Sequence, residues 1–203
     1  LLSSLAVTTF TATQAAAQEQ RPSDASPGLQ EIIVTAQKKA ENLQQTPLAV
    51  SAVTSETIEQ RGISDVSSLT SVAPNLIVGV TGAATANAAI FIRGIGESDT
   101  VLTAESPVGI YVDGVVLGRT SGAIFDLVDL ERIEVLRGPQ GTLYGRNTTG
   151  GAVNLISKKP GDTFSAEQTL SYGSFNYLQS KTTINTGEIG SSGIRLRGTY
   201  LHK

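Results

Sequence analysis

The sequence contains no cysteine, no methionine, no tryptophan and a single histidine. Without cysteine there is no disulfide, iron–sulfur cluster, thiol nucleophile or cysteine zinc site. A cysteine-free chain is also suited to an oxidising compartment. The lone histidine, His202, leaves no histidine-based triad, no histidine metal cluster and no imidazole base. Methionine is missing even at position 1, which predicts that residues precede Leu1. Aromatic residues make up 5% of the chain, so large aromatic clusters are few. The net charge of −3 carries no electrostatic footprint for nucleic acid.

What is present favours turns and β structure. Glycine alone occurs 21 times in 203 residues, and Ser, Thr, Ala and Asn are plentiful. Leu1 to Gln18 is apolar, small and uncharged, and it ends in Ala15-Ala16-Ala17. It reads as the apolar region of an export signal with cleavage after Ala17, too short and too rich in Thr and Ser for a transmembrane helix. Gln18 to Gln30 is polar and reads as a flexible linker. Glu31-Ile32-Ile33-Val34-Thr35-Ala36 follows, a short β-prone island in polar surroundings. Two readings fit it: an edge strand of the next domain, or an exposed strand that pairs with another protein's sheet edge. Lys38 to Gln45 is polar again.

A folded domain is expected from Thr46. Pro47 to Val53 predicts a strand. Ser55 as N-cap and Gly62 at C′ frame a short helix over Ser55–Arg61. Val66, Leu69 and Val72 predict a second helix over Asp65–Val72, ended by Pro74. Strands are expected at Leu76–Val80 and Ala88–Ile95, separated by a small-residue loop from Thr81 to Asn87. Gly96 to Ser106 reads as a polar loop. Asp113-Gly114 predicts a type I′ hairpin within Val108–Leu117. A helical turn over Phe125–Leu130 leads into DLERIEVLRGPQGTLYGRNTTGGAVNLISKKP, residues 129 to 160. Here an apolar run breaks at Arg137-Gly138-Pro139, five glycines follow from Gly138 to Gly151, and a second apolar run begins. Pro139 cannot join a central ladder, so this is a strand, an irregular crossing and a strand. The class is α+β with a small mixed sheet and short helices.

Past Pro160 the pattern changes. Phe164, Ala166, Leu170 and Tyr172 share one face, with Gln168 the exception, opposite Ser165, Glu167, Thr169 and Ser171. Tyr177–Thr186 and Ile194–Tyr200 alternate similarly. Strands of ~9–11 residues fit the start of a transmembrane antiparallel β-barrel, and a soluble meander with one wet face gives the same alternation.

Residues with chemical potential are few. Gly138–Gly151 lacks the Gly-Lys-Ser/Thr ending of a phosphate loop, and Gly94-Ile95-Gly96 is a lone fragment. Asp126, Asp129, Glu131 and Glu134 read as solvated faces or helix caps. Asn147-Thr148-Thr149 matches a glycosylation sequon but reads as turn chemistry. Arg93 and Arg137 each sit in an apolar run before a glycine and need partners. Glu134, Asp113 or Glu97 can serve, or a group outside this chain.

Taken together, EIIVTA, FIRG, GIYVDGV and the 129–160 stretch resemble the N-terminal part of a TonB-dependent outer-membrane receptor. The resemblance covers almost the whole chain and implies four parts: a signal-peptide remnant (1–17), a flexible segment carrying a TonB box at 31–36 (18–45), a plug domain (46–160), and the first strands of an incomplete barrel (161–203). It implies a plugged barrel of about 22 strands in the bacterial outer membrane. Its substrate would be scarce or bulky and extracellular, such as a ferric siderophore, and it would be neither an enzyme nor a cofactor or metal carrier. Glu31, Ile32, Ile33, Val34, Thr35 and Ala36 would add as a strand to TonB in the periplasm. Arg93 and Arg137 would latch the plug to barrel glutamates beyond Lys203. The loops holding Thr81, Asn87, Glu97, Ser98, Asp99 and Thr100 would face the substrate. The alternatives are a signal-transducing receptor of the same family and a soluble periplasmic ligand-binding module.

Overall fold

The structure, a computed structural model, describes residues 31–80, 87–98, 105–119, 123–190 and 192–203. Its elements in chain order are β1 (Ile33–Val34), β2 (Glu41–Asn42), a 3₁₀ turn (Leu43–Gln45), β3 (Val50–Thr54), α1 (Ser55–Gln60), a 3₁₀ helix (Val66–Ser71), β4 (Leu76–Val80), β5 (Ala88–Ile92), β6 (Ile95–Glu97), β7 (Val108–Val112), β8 (Val115–Leu117), β9 (Leu130–Arg137), α2 (Gly141–Tyr144), β10 (Gly151–Ser157), β11 (Phe164–Gly173), β12 (Tyr177–Glu188) and β13 (Arg195–His202). No described helix is long and apolar enough to cross a membrane.

The centre is a five-stranded mixed sheet in the order β3-β9-β10-β7-β8. β10 runs parallel to β7 and antiparallel to β9, as expected for a small mixed sheet. Strand alternation gives each central strand two apolar faces. Ile133, Val135, Val153, Leu155, Val108 and Ile110 point to one side and pack with Ile58, Val66, Leu69, Leu76, Ile90 and Ile92. That side is closed by α1, the 3₁₀ helix and a second sheet, β4-β5-β6. Leu136, Ala152 and Tyr111 point to the other side, where Val34 and Ala36 are buried against them. A central sheet covered on both faces yields near-continuous apolar runs, which is why β9 and β10 stand out in the sequence.

Several local expectations are corrected. Thr54, not Ser55, is the N-cap of α1, and its side chain makes no capping bond. The second helix is 3₁₀, held by a reciprocal capping box in which Asp65 accepts from the Ser68 N–H and Ser68 accepts from the Asp65 N–H. Phe125–Leu130 is irregular rather than helical, with a single bridge between Asp65 and Asp126. The run Ala88–Ile95 is broken at Arg93-Gly94, both with positive φ (54° and 80°), which makes a primed turn between β5 and β6. The start of the expected loop at Gly96 is therefore strand. Asp113-Gly114 does form the hairpin turn between β7 and β8.

One glycine is a packing requirement. Gly151 has φ +148°, and a Cβ there would lie 2.3 Å from the Leu136 carbonyl oxygen. It opens β10 opposite Arg137, where the crossing returns to the sheet.

After Pro160, β11, β12 and β13 form an antiparallel meander. Its outer face carries exposed Phe164, Leu170, Tyr172, Leu178, Ile184 and Tyr200. Its inner face is polar and includes buried Thr183 and Asn185.

Candidate functional site

The segment 31–45, expected to be flexible, is folded onto the sheet. β1 pairs with β2 in register Ile33↔Asn42 and Val34↔Glu41, and the Leu43 N–H donates to the Ile32 carbonyl at 2.9 Å. It is therefore neither an edge strand of the main sheet nor free along both edges. Val34 and Ala36 have 0% exposure, while Ile33 is exposed. The physical reason is the uncovered second face of the central sheet, where these apolar side chains are removed from water.

Beneath this strand lies a polar cluster on the same face. Cross-strand register places Glu134 of β9 opposite Asn154 of β10, and Asn154 beside Tyr111 of β7. Glu134 is fully buried. Its carboxylate accepts from the Thr35 N–H at 2.7 Å and from Arg132 Nε at 2.8 Å, with Thr35 Oγ1 at 3.2 Å and Asn154 Nδ2 at 3.4 Å. Glu131 also pairs with Arg132. Tyr144 Oη donates to the Thr35 carbonyl at 3.4 Å and accepts from Asn154 Nδ2 at 2.8 Å. Burial pushes the Tyr144 hydroxyl pKa up, so it stays a donor. Lys38 sits 4.7 Å over the Tyr144 ring, a cation–π contact. The cluster lines a recess of about 380 Å³.

Arg93 reaches the backbone next to Arg137. Arg93 occupies the exposed β5–β6 turn rather than a strand, and its guanidinium lies 3.6 Å from where a Gly138 Cβ would be, next to Arg137. Two of the internal partners considered for them are committed elsewhere: Glu134 to Arg132 and Thr35, and Asp113 to the Ser157 N–H and hydroxyl, both at 2.8 Å. Arg137 Nε is buried with no hydrogen-bond partner among the described residues.

A second polar contact joins the central domain to the meander. Asp129, in a positive-φ conformation (56°), accepts from Arg197 Nε at 2.6 Å and from a terminal Arg197 nitrogen at 2.7 Å. Burial acts to raise the Asp129 carboxyl pKa, but Arg197 and Thr199 hold it below its ordinary value. Lys203 reaches Asp126 at 2.5 Å, and Asn185 hydrogen-bonds the backbone at Gly161 and Thr163. The carboxylates read as solvated are thus mostly engaged: Glu134 is interior, and Asp126 and Asp129 tie two sheets together. A cleft of about 450 Å³ remains between α1 and the polar inner face of the meander.

Among the described residues no group of three or more His, Asp or Glu is placed to hold a metal ion. Of the proposed substrate-facing residues, Thr81, Asp99 and Thr100 lie outside the described residues. Asn87 is half-buried before β5, Glu97 ends β6, and Ser98 is exposed. Gln168, the polar exception on the apolar face, is satisfied across the strand pair. Its amide donates to Ser180 Oγ at 2.8 Å and accepts from Thr182 Oγ1 at 2.6 Å.

Residues 42–152 match the family described as TonB-dependent Receptor Plug Domain. The chain belongs to that family. The chain is 32% identical over 154 residues to the iron-regulated outer membrane virulence protein of Vibrio cholerae, covering 73% of this chain and 23% of that protein. It is 34% identical over 136 residues to the ferrioxamine B receptor of Salmonella typhimurium, covering 65% of this chain and 18% of that one. Among solved structures, the ferric yersiniabactin uptake receptor of Yersinia pestis superposes with a TM-score of 0.64 at 28% identity, covering 71% of this chain and 22% of the receptor. The ferripyoverdine receptor of Pseudomonas aeruginosa shares the fold, with a TM-score of 0.69 at 21% identity over 84% of this chain and 22% of its own. The chain spans less than a quarter of the length of these curated relatives.

The sequence reading missed the Glu134–Thr35 bond and the Asp129–Arg197 pair. The alternation in Arg132–Arg137 does put Glu134 opposite Ile133 and Val135. Nothing local to β9 says that this second face is covered.

Proposed function

We propose that this chain is the plug-bearing part of a TonB-dependent receptor in the bacterial outer membrane, which takes up a ferric chelate of siderophore type under energy supplied through TonB. The observation that carries this reading is the meander joined to the plug. It turns an apolar face outward and a polar face toward the plug, and it is tied there by Asp129–Arg197. β11 has 10 residues; at ~3.3 Å per residue and ~45° tilt it covers roughly 23 Å, close to the ~25 Å apolar band of an outer-membrane barrel. On that outer face the side chains of Gln168, Ser180 and Thr182 hydrogen-bond one another, which lowers the cost of placing them against lipid. The ferric-chelate assignment draws on relatives named for ferrioxamine B and ferric yersiniabactin.

In this reading residues 1–17 are an export signal, 18–45 the segment that carries the TonB box, 46–160 the plug, and 161–203 the first barrel strands. Glu31, Ile32, Ile33, Val34, Thr35 and Ala36 form the box, which adds to TonB's sheet edge by main-chain hydrogen bonds. Arg93 and Arg137 converge on a barrel carboxylate, a reading supported by the buried, unpartnered Arg137 Nε. The loops around 81–87 and 96–106 contact substrate.

The test is Ile33→Pro in the gene-encoded receptor, which removes a ladder donor from the box. Crosslinking to TonB and ferric-chelate uptake under iron limitation should both be lost. Unchanged crosslinking and uptake would refute the box assignment.

A further inference from the structure

The strand at 31–36 is occupied. On one edge it is paired with Glu41 and Asn42, and the Ile32 carbonyl takes the Leu43 N–H. Just beyond it, the Thr35 N–H is bound by Glu134 at 2.7 Å, and the Thr35 carbonyl takes the Lys38 N–H at 2.8 Å and the Tyr144 hydroxyl at 3.4 Å. Adding a strand to another protein's sheet requires these same backbone donors and acceptors along one edge. The docked state and the partner-bound state therefore exclude each other.

We propose that Glu134 is the latch that keeps residues 31–36 from a TonB-like strand acceptor until the plug is rearranged. This rests on the strand-addition reading above. Glu134 suits the role because it is held from the opposite side as well. Arg132 Nε at 2.8 Å and Asn154 Nδ2 at 3.4 Å keep the carboxylate aimed at Thr35. Arg132 also reaches Thr35 Oγ1 at 3.3 Å. When the strand leaves, the carboxylate retains Arg132 and Asn154, so release does not strand a bare charge in the interior. The latch belongs to β9, an interior strand of the sheet between β3 and β10. A shift of β9 is thus transmitted to the box through this carboxylate and Arg132, and a shift of β10 through Asn154 and the Tyr144 hydroxyl.

The chain has no cysteine, so Ala36→Cys places a unique thiol at a position with 0% exposure. Thiol labelling of the substrate-free, gene-encoded receptor reports release, and the isolated periplasmic domain of TonB is the binding probe. Glu134→Leu fills a similar volume with an apolar side chain that accepts no hydrogen bond. It should speed labelling about ten- to hundredfold, the worth of a hydrogen bond to a charged group, and tighten TonB binding by a similar factor. Glu134→Gln, which keeps one acceptor oxygen, should fall between it and the parent. Tyr144→Phe removes only the hydroxyl and should speed labelling several-fold, so the latch is tested even where Glu134→Leu does not fold. Labelling rates equal to the parent in Glu134→Gln and Tyr144→Phe overturn the latch. Faster labelling with TonB binding unchanged, and insensitive to Ile33→Pro, supports the latch and overturns TonB as the strand's partner.

Discussion

Replacing Arg197 by Met keeps the apolar stem of the side chain and removes both donors to Asp129. The pair is bidentate at 2.6 and 2.7 Å, and the two side chains are 16% and 14% exposed. Exposed ion pairs contribute about 0–1 kcal/mol, and breaking a fully buried one costs about 3–5 kcal/mol. This pair lies between those limits, and leaving the Asp129 charge with the Thr199 hydroxyl but no cation bonded to it should cost about 2–3 kcal/mol locally. The cost should fall on the backbone flanking Asp129. There the Leu127 N–H donates to the Ser64 carbonyl at 2.8 Å, and the Lys158 N–H donates to the Asp129 carbonyl at 2.9 Å. Hydrogen exchange at these two amides, read in the gene-encoded receptor, should speed up roughly thirtyfold or more, since ~1.4 kcal/mol is tenfold. Adding Asp129→Asn to Arg197→Met should recover most of the loss, because no unpaired charge then remains. Exchange at Leu127 and Lys158 that stays within about twofold of the parent would refute the claim that this pair holds the plug to the meander.

Two further outcomes follow from the geometry. Gly151→Ala puts a Cβ 2.3 Å from the Leu136 carbonyl oxygen at φ +148° and should destabilise the β9–β10 pairing by about 2–4 kcal/mol. Gly79→Ala, whose Cβ would meet nothing within 4 Å, should be nearly neutral, and equal yields of protease-resistant plug from both variants would contradict the close approach. The Asp129 carboxyl pKa is lowered in the fold. Its contribution is therefore complete above the unfolded value of ~3.9 and is lost as pH falls through the lower folded value. Exchange protection at Leu127 should be flat from about pH 7 to 5 and decline below about pH 4, and Asp129→Asn should abolish that decline.

Much of this fold is legible in the residues themselves. Asp113-Gly114 makes the turn it predicts, and the strand ends at Leu76–Val80 match. The alternation after Pro160 places β11, β12 and β13. Local chemistry decides these features, since a primed turn selects residues that accept positive φ and an alternating strand selects side chains by face. The misreadings occur where context overrides local preference. Arg93 lies in an apolar run but turns the chain, because Gly94 follows it. Phe125–Leu130 reads as a helical turn yet is not helical, with Asp126 held in the bridge with Asp65.

The stretch from Asp129 to Pro160 separates the two kinds of information. By itself the sequence determined a strand, a glycine-rich crossing and a returning strand, the family they belong to, and the alternation that sets Glu134 apart from Ile133 and Val135. Only the tertiary structure decided what covers each face. It brings residues 31–36 across about 100 positions of chain, so that Glu134 is buried under Thr35 instead of solvated, and it brings β13 back to clasp Asp129. The reason is physical. Periodicity reports which side chains share a face, but whether that face meets water, a neighbouring sheet or a docked strand depends on contacts between segments that no local pattern records.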